Sequence, residues 1–241
     1  METLKGKSAL VTGAAKRIGR QLALSLAQSG VNVAITYRGS EKEAHNTATE
    51  LADFGVRALA IECDVRLPGS ITNAVTKVVH EFGRLDLLVN NAGLFETKAL
   101  ESITVDAWNA MFETNTRGPF LVAQAAFESL KAAEGRIVNI GSLGGMHPWA
   151  THGHYCTSKA ALHMLTQTMA KAWAPHISVN CIAPGMIVNG EVGADYEQFA
   201  AKTPMKRNGT ALDVAAALMF FATAPRFITG QILAVDGGLG L

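Results

Sequence analysis

Cysteine is scarce: Cys63, Cys156 and Cys181 are too few and too far apart in 241 residues to form a disulfide framework. None belongs to a Cys-x-x-Cys pair or lies beside histidine at zinc-ligand spacing, so neither a structural zinc nor a dithiol centre is expected. That usage fits a reduced, cytoplasmic compartment. Net charge is scarce too. The 21 Lys and Arg against 20 Asp and Glu leave a formal +1 with no basic or acidic run, which removes the electrostatic footprint that nucleic acid or an anionic membrane requires. The longest apolar run, residues 214–224, falls short of the ~20 residues of a bilayer span. Residues 1–7 lack the charged-then-apolar order of a secretory leader. A soluble protein acting on a small molecule is expected.

What the chain does have is alternation. A short apolar run at 8–12 stops at Gly13, and Ile18, Leu22 and Leu26 then recur as one helical face over 18–28. Strand-like runs follow at 31–37, 57–63, 85–89, 136–140, 177–182 and 232–235. Helical stretches separate them at 41–54, 68–82, 105–130, 155–173 and 211–222, the third interrupted by Gly118-Pro119. This order predicts an α/β fold: a single Rossmann-type, doubly wound parallel sheet of about seven strands with helices on both faces. No linker or repeat divides residues 1–241, so one domain is expected, with the polar, aperiodic segment 190–207 as a substrate lid.

Ligands of such sheets lie beyond the carboxyl ends of the strands. Thr12-Gly13, Asp64, Asn90-Asn91-Ala92-Gly93, Ser142 and Pro184-Gly185 each follow a predicted strand there. The turn from Thr12 to Gly19 joins a strand to a helix, and its backbone amides with the helix N-terminus make a pyrophosphate site. Tyr155 and Lys159, four apart, share one face of the predicted helix. A phenol titrates near ~10 in water, and a lysine ammonium beside it would favour its anion.

These motifs, with Asn115 and Val235-Asp236-Gly237-Gly238, resemble in order and spacing the short-chain dehydrogenase/reductase family over nearly the whole chain. The resemblance implies a nicotinamide dinucleotide held at its phosphates by Gly13, Arg17, Ile18 and Gly19, and at its adenosine by Tyr37, Arg38, Asp64 and Val65. Asn90, Ala92, Gly93, Pro184, Gly185 and Ile187 would complete that site. It further implies Tyr155 as general acid and Ser142 as donor to the substrate oxygen. Lys159 would lower the tyrosine pKa and bind the nicotinamide ribose, and Asn115 would hold a water linking Lys159 to solvent. Family members assemble as homotetramers through the helices at 105–130 and 155–173.

Two departures from the family pattern are informative. Arg17 stands where the phosphate turn has its middle glycine, and Tyr37-Arg38 stand where NAD-preferring members carry an acid. Guanidinium groups bind a 2′-phosphate that a carboxylate would repel, so NADP(H) is the expected cofactor. Arg17, Phe95, Tyr37-Arg38 and the short Ala174-Pro175-His176-Ile177 turn also look like pteridine reductases, whereas Ser142 stands where those enzymes have aspartate. Phe95, Met146, Trp149 and His154 are expected to wall an apolar pocket, with Phe95, Trp149, Ser142 and Tyr155 touching substrate. His147, His152 and His154 read as solvated loop histidines without a metal. Asn189 occupies a position where threonine usually contacts the carboxamide.

Four functions follow from these readings: an NADPH-dependent oxidoreductase acting on a carbonyl/hydroxyl carbon of a small molecule, the alternatives of a dihydropterin reductase and a 3-oxoacyl thioester reductase, and, from another class, a non-catalytic NADP(H)-binding regulator. Lys131 and Arg136 would attract the acidic carrier of an acyl thioester.

Overall fold

The structure, a computed structural model, describes residues 3–188 and 194–241. The first strand, β1 (Ser8–Val11), is buried throughout and sends Ala9 and Val11 into one core and Leu10 into another. That two-sided burial is why its sequence is continuously apolar rather than alternating. The chain continues through α1 (Arg17–Gln28), β2 (Asn32–Tyr37), α2 (Glu41–Ala52), β3 (Ala58–Glu62), α3 (Pro68–Phe82) and β4 (Leu87–Asn90). Next come α4 (Val105–Phe112), a π turn (Glu113–Arg117), α5 (Gly118–Ala132), β5 (Arg136–Ile140), α6 (Gly153–Trp173) and β6 (Ser178–Pro184). The chain ends with β7 (Ile187–Val188), α7 (Ala194–Lys202), β8 (Gly209–Thr210), α8 (Ala211–Thr223) and β9 (Ile232–Val235).

Seven strands form one parallel sheet in the order β3-β2-β1-β4-β5-β6-β9, as expected for a doubly wound fold. Leu22 and Leu26 of α1 pack with Leu218 and Phe221 of α8 in one core. Ile71 and Val78 of α3 pack with Val122 and Leu130 of α5 in the other. Winding reverses between β1 and β4, which opens a crevice at their carboxyl ends. No described helix is long and apolar enough to cross a membrane.

Two expectations need correction. Gly118-Pro119 does not interrupt the long helix: α4 runs into α5 through the π turn, with helical backbone at Arg117 and Gly118. Pro119 has no N–H to return to the carbonyl of Asn115 four residues back, and the widened turn absorbs that mismatch. The segment 190–207 is not wholly irregular either, because α7 lies within it. Asn189 and Gly190 lie outside the described residues.

Candidate active site

The crevice is a cleft of about 550 Å³ running along the strand ends. Its floor is the turn after β1. Thr12 Oγ1 accepts the N–H groups of Asn91 and Ala92, both at 3.0 Å, which ties this turn to the one after β4. Asn91 Nδ2 donates back to the carbonyls of Thr12 and Gly13 at 2.9 Å. Gly13 has φ +63°, and a Cβ there would stand 2.8 Å from the Ala92 Cα. A Cβ on Gly19 would collide with Asn91 Nδ2. Both glycines are required by close approach. The Gly13 and Ala14 N–H groups donate to Thr36, to its Oγ1 at 3.1 Å and its carbonyl at 3.0 Å, so the amides that suit a pyrophosphate are those of the first turn of α1.

Gly13, Arg17, Ile18, Gly19, Tyr37, Arg38, Asp64, Val65, Ala92, Gly93, Pro184, Gly185 and Ile187 all line this cleft, as expected. Asn90 does not: its buried Nδ2 donates to Asn139 Oδ1 at 2.9 Å, so the side chain braces β4 against β5 and Asn91 takes the cleft position. At the adenosine end the walls carry Lys16, Arg17 and Arg38, with Ser40 beside them. Asp64 forms a fork with Arg66, at 2.9 Å to Nε and 2.5 Å to Nη2, and stands 3.6 Å from Arg38. The Arg66 hydrogen bonds, with Arg38 behind them, hold its carboxyl down to about 2. Lys16 and Ser40 were legible as neighbours of Arg17 and Arg38. Met186 lines the cleft as part of the strand exit at 184–187; Thr114 and Gly141 also line it, and the sequence carries no signal for them.

Arg17 sits at φ 57°, in the left-handed region where the family motif has glycine. A non-glycine residue there costs ~1–2 kcal/mol, whereas glycine costs ~0.5–1 kcal/mol more chain entropy on folding. Relief of strain wins by a small margin. Arg17→Gly is therefore expected to stabilise the fold by about 0.5–1 kcal/mol in denaturant unfolding while weakening NADPH relative to NADH about fivefold. A variant that loses stability or keeps full discrimination refutes a cofactor reason for this arginine.

The chemical end lies where β5 gives way to α6. Ser142 caps the short turn Leu143–Gly145, its Oγ accepting the Gly144 N–H at 3.1 Å, and its hydroxyl acts on the Tyr155 phenol, favouring the anion. Both side chains line the cleft. Lys159, one helical turn on, is 5 % exposed and donates from Nζ to the Ile140 carbonyl at 2.8 Å. Burial pushes its ammonium down to about 8. The expected lowering of the phenol is not what this geometry produces. Burial pushes Tyr155 above its ordinary value against the opposing influence of the Ser142 hydroxyl, and the Lys159 Nζ, 5.9 Å from the ring centroid, is committed elsewhere. The phenol stays protonated at neutral pH, ready to give a proton rather than take one.

Asn115 does not line the cleft. From the π turn, its fully buried Oδ1 accepts the Leu94 N–H at 2.7 Å, and Nδ2 donates to the Leu94 carbonyl at 2.9 Å and to Ser158 Oγ at 3.0 Å. The side chain is a brace between three segments.

The substrate side is aromatic. Phe95 meets the Tyr155 ring edge-to-face at 4.8 Å and stacks on His152 at 4.8 Å, while Trp149 lies nearly parallel to Tyr155 at 6.2 Å. Met146 and His154 do not line the cleft. Nor are the histidines all solvated: His154 is fully buried with Nε2 2.9 Å from Glu96, and His152 sits between the hydroxyls of Thr97 and Thr151 at 2.9 and 3.0 Å. Helix α6 begins at Gly153, earlier than expected, and carries His154 into the interior. Among the described residues no group of three His, Cys, Asp or Glu side chains is placed to hold a metal ion.

Comparison with known proteins agrees with this geometry. The protein family described as enoyl-(acyl carrier protein) reductase matches residues 13–240. A 3-oxoacyl-(acyl-carrier-protein) reductase of Staphylococcus epidermidis is 35% identical over 97% of this chain and 98% of its own. A short-chain dehydrogenase of Burkholderia cenocepacia, solved in complex with NADP, superposes over 100% of both chains with TM-score 0.94 and 38% identity. The chain belongs to the short-chain dehydrogenase/reductase family. It is accordingly a nicotinamide-dependent oxidoreductase of the carbonyl/hydroxyl kind. Another member of this fold, a blue fluorescent protein from a metagenomic library solved with NADPH, is 35% identical over 100% of both chains, with TM-score 0.93.

Proposed function

We propose that this chain is an NADPH-dependent carbonyl reductase with Tyr155 as its general acid. The observation that carries the reading is one cleft with Arg17 and Arg38 on its walls at one end and Ser142 and Tyr155 lining it together at the other. Arg17 and Arg38 would hold the 2′-phosphate, the turn at Gly13 with the first amides of α1 up to Gly19 the pyrophosphate, and Pro184, Gly185 and Ile187 the nicotinamide. When bound, the nicotinamide supplies a hydride to the substrate carbon. The charge that then develops on the substrate oxygen is met by the Ser142 hydroxyl and by a proton from Tyr155. Lys159 would bind ribose hydroxyls and supply positive charge behind the phenol. A phenol raised by burial favours reduction at neutral pH, and the reverse direction calls for alkaline conditions.

Segment 190–207 would close over the substrate. Val105, Trp108, Phe120 and Met164 leave apolar surface on α4, α5 and α6, which supports assembly into the family's tetramer through these helices. Cytoplasmic placement follows the sparse cysteine usage.

The aromatic wall of Phe95 and Trp149 favours a flat substrate, which keeps the dihydropterin alternative in view. Ser142 weighs against it, because a neutral hydroxyl serves a carbonyl oxygen better than a ring nitrogen. The Staphylococcus relative favours a 3-oxoacyl thioester. A panel of ketones, 3-oxoacyl thioesters and dihydropterins, followed by consumption of NADPH, separates these readings. Carbonyl compounds are expected to exceed dihydropterins at least about tenfold in kcat/KM. Preference for the pterin would replace the reading with pteridine reduction, and NADPH binding without consumption would leave a regulator.

A further inference from the structure

Helix α6 presents Tyr155, Lys159 and His163 at successive steps of four, a single stripe facing the end of β5. The first two belong to the site described above. The third is buried at 5 % exposure beneath the turn that carries Ser142. A Cβ on Gly141 would collide with His163 Nε2, and one on Gly145 would stand 2.6 Å from its Cε1, so the imidazole fills the hollow between the two ends of that turn. The Ser142 N–H points at His163 Nε2 from 3.4 Å. Ser142 is thus held on two sides, its amide reaching His163 and its hydroxyl accepting from Gly144, while its side chain lines the cleft with Tyr155.

We infer that His163 is a positioning residue for the reaction: its Nε2, as acceptor, fixes the backbone of Ser142 and so aims the serine hydroxyl at Tyr155 and the substrate oxygen. The inference rests on the reductase reading and adds a residue to it. A buried histidine serving only to fill space has no need of a neighbouring amide. Here an apolar replacement of similar size would leave the Ser142 N–H, itself in a residue 4 % exposed, without an acceptor. The protonation state agrees with the geometry. Burial first, and then the Lys159 ammonium on the same helix, push His163 down to about 4, while the nearby Cys181 thiol on β6 is pushed up to about 12 and stays neutral. At neutral pH the imidazole is uncharged, and the Nε2 lone pair is available if the proton sits on Nδ1.

His163→Leu and His163→Gln decide the matter, because glutamine keeps an acceptor at similar reach and leucine does not. The expected result is an about tenfold fall in kcat for His163→Leu with NADPH affinity within about twofold of the parent, and recovery of most of that loss in His163→Gln. Equal kcat in both variants, whether lowered or not, overturns the inference, since volume alone would then explain the residue. Should the leucine variant fail to fold, nitrogen NMR of the unsubstituted protein tests the same point. A proton on Nδ1 with bare Nε2 supports the role, and a proton on Nε2 overturns it. Absence of turnover by the unsubstituted protein refutes the reductase reading instead, leaving the tautomer measurement to judge His163 by itself.

Discussion

Tyr155→Phe is expected to lower kcat for carbonyl reduction by at least ~10²-fold while NADPH binding stays within a few-fold of the parent. The substitution removes one oxygen and keeps the ring, so the edge-to-face contact with Phe95 and the parallel contact with Trp149 persist. What is lost is the proton donor that lines the cleft beside Ser142. Alkoxide left without a nearby acid must wait for water in a cleft walled by aromatic rings. The general-acid contribution of ~10²–10⁴-fold is therefore the scale of the loss. Substrate KM moves little if the account is right, because the proton is given in the transition state and not in the bound ground state. Near-normal kcat in this variant refutes the assignment.

Arg38→Asp is expected to turn the dinucleotide preference over, with a swing of ~10²-fold or more in the NADPH/NADH ratio of kcat/KM. The wild-type side chain lines the cationic end of the cleft beside Arg17 and Lys16, immediately after β2. Asp64, 3.6 Å away, already offsets part of its charge. A carboxylate at position 38 would remove a fork-like donor and repel the 2′-phosphate, yet accept from free ribose hydroxyls. Since a hydrogen bond to a charged group contributes ~1.5–3 kcal/mol, loss of attraction and gain of repulsion together reach that swing. A ratio that moves less than about threefold assigns the 2′-phosphate to other residues.

How far the sequence could be read depended on which physics was local. The strand ends were legible because β1 is buried on both faces and must be apolar throughout, and because Gly13 and Gly19 mark backbones with no room for a Cβ. Ser142, Tyr155 and the cationic pair Arg17 and Arg38 reached one cleft because the sheet topology brings all strand ends to one edge. The misreadings concern where side chains turn. Nothing in Asn90-Asn91 says which amide faces the cleft; that is decided by Asn139 across the β4–β5 ladder, which claims Asn90. His154 looked like a loop residue because nothing local signals that α6 begins at Gly153 or that Glu96 waits for it. The continuity of α4 and α5 defied the ordinary rule for proline, since the π turn widens where Pro119 offers no N–H, and Asn115 within that turn is tied to Leu94 and Ser158. Burial likewise governs the phenol, while the Lys159 ammonium expected to act on it is turned to the Ile140 carbonyl, an arrangement no spacing rule contains.

The measurement that bears most directly on the central claim uses NADPH deuterated at the transferring position of C4 with a ketone substrate, and asks where the label goes. The account predicts an alcohol labelled at its carbinol carbon, formed in step with cofactor consumption by the parent and nearly abolished in Tyr155→Phe. Alcohol formed without label, or equal labelling by the phenylalanine variant, would contradict it.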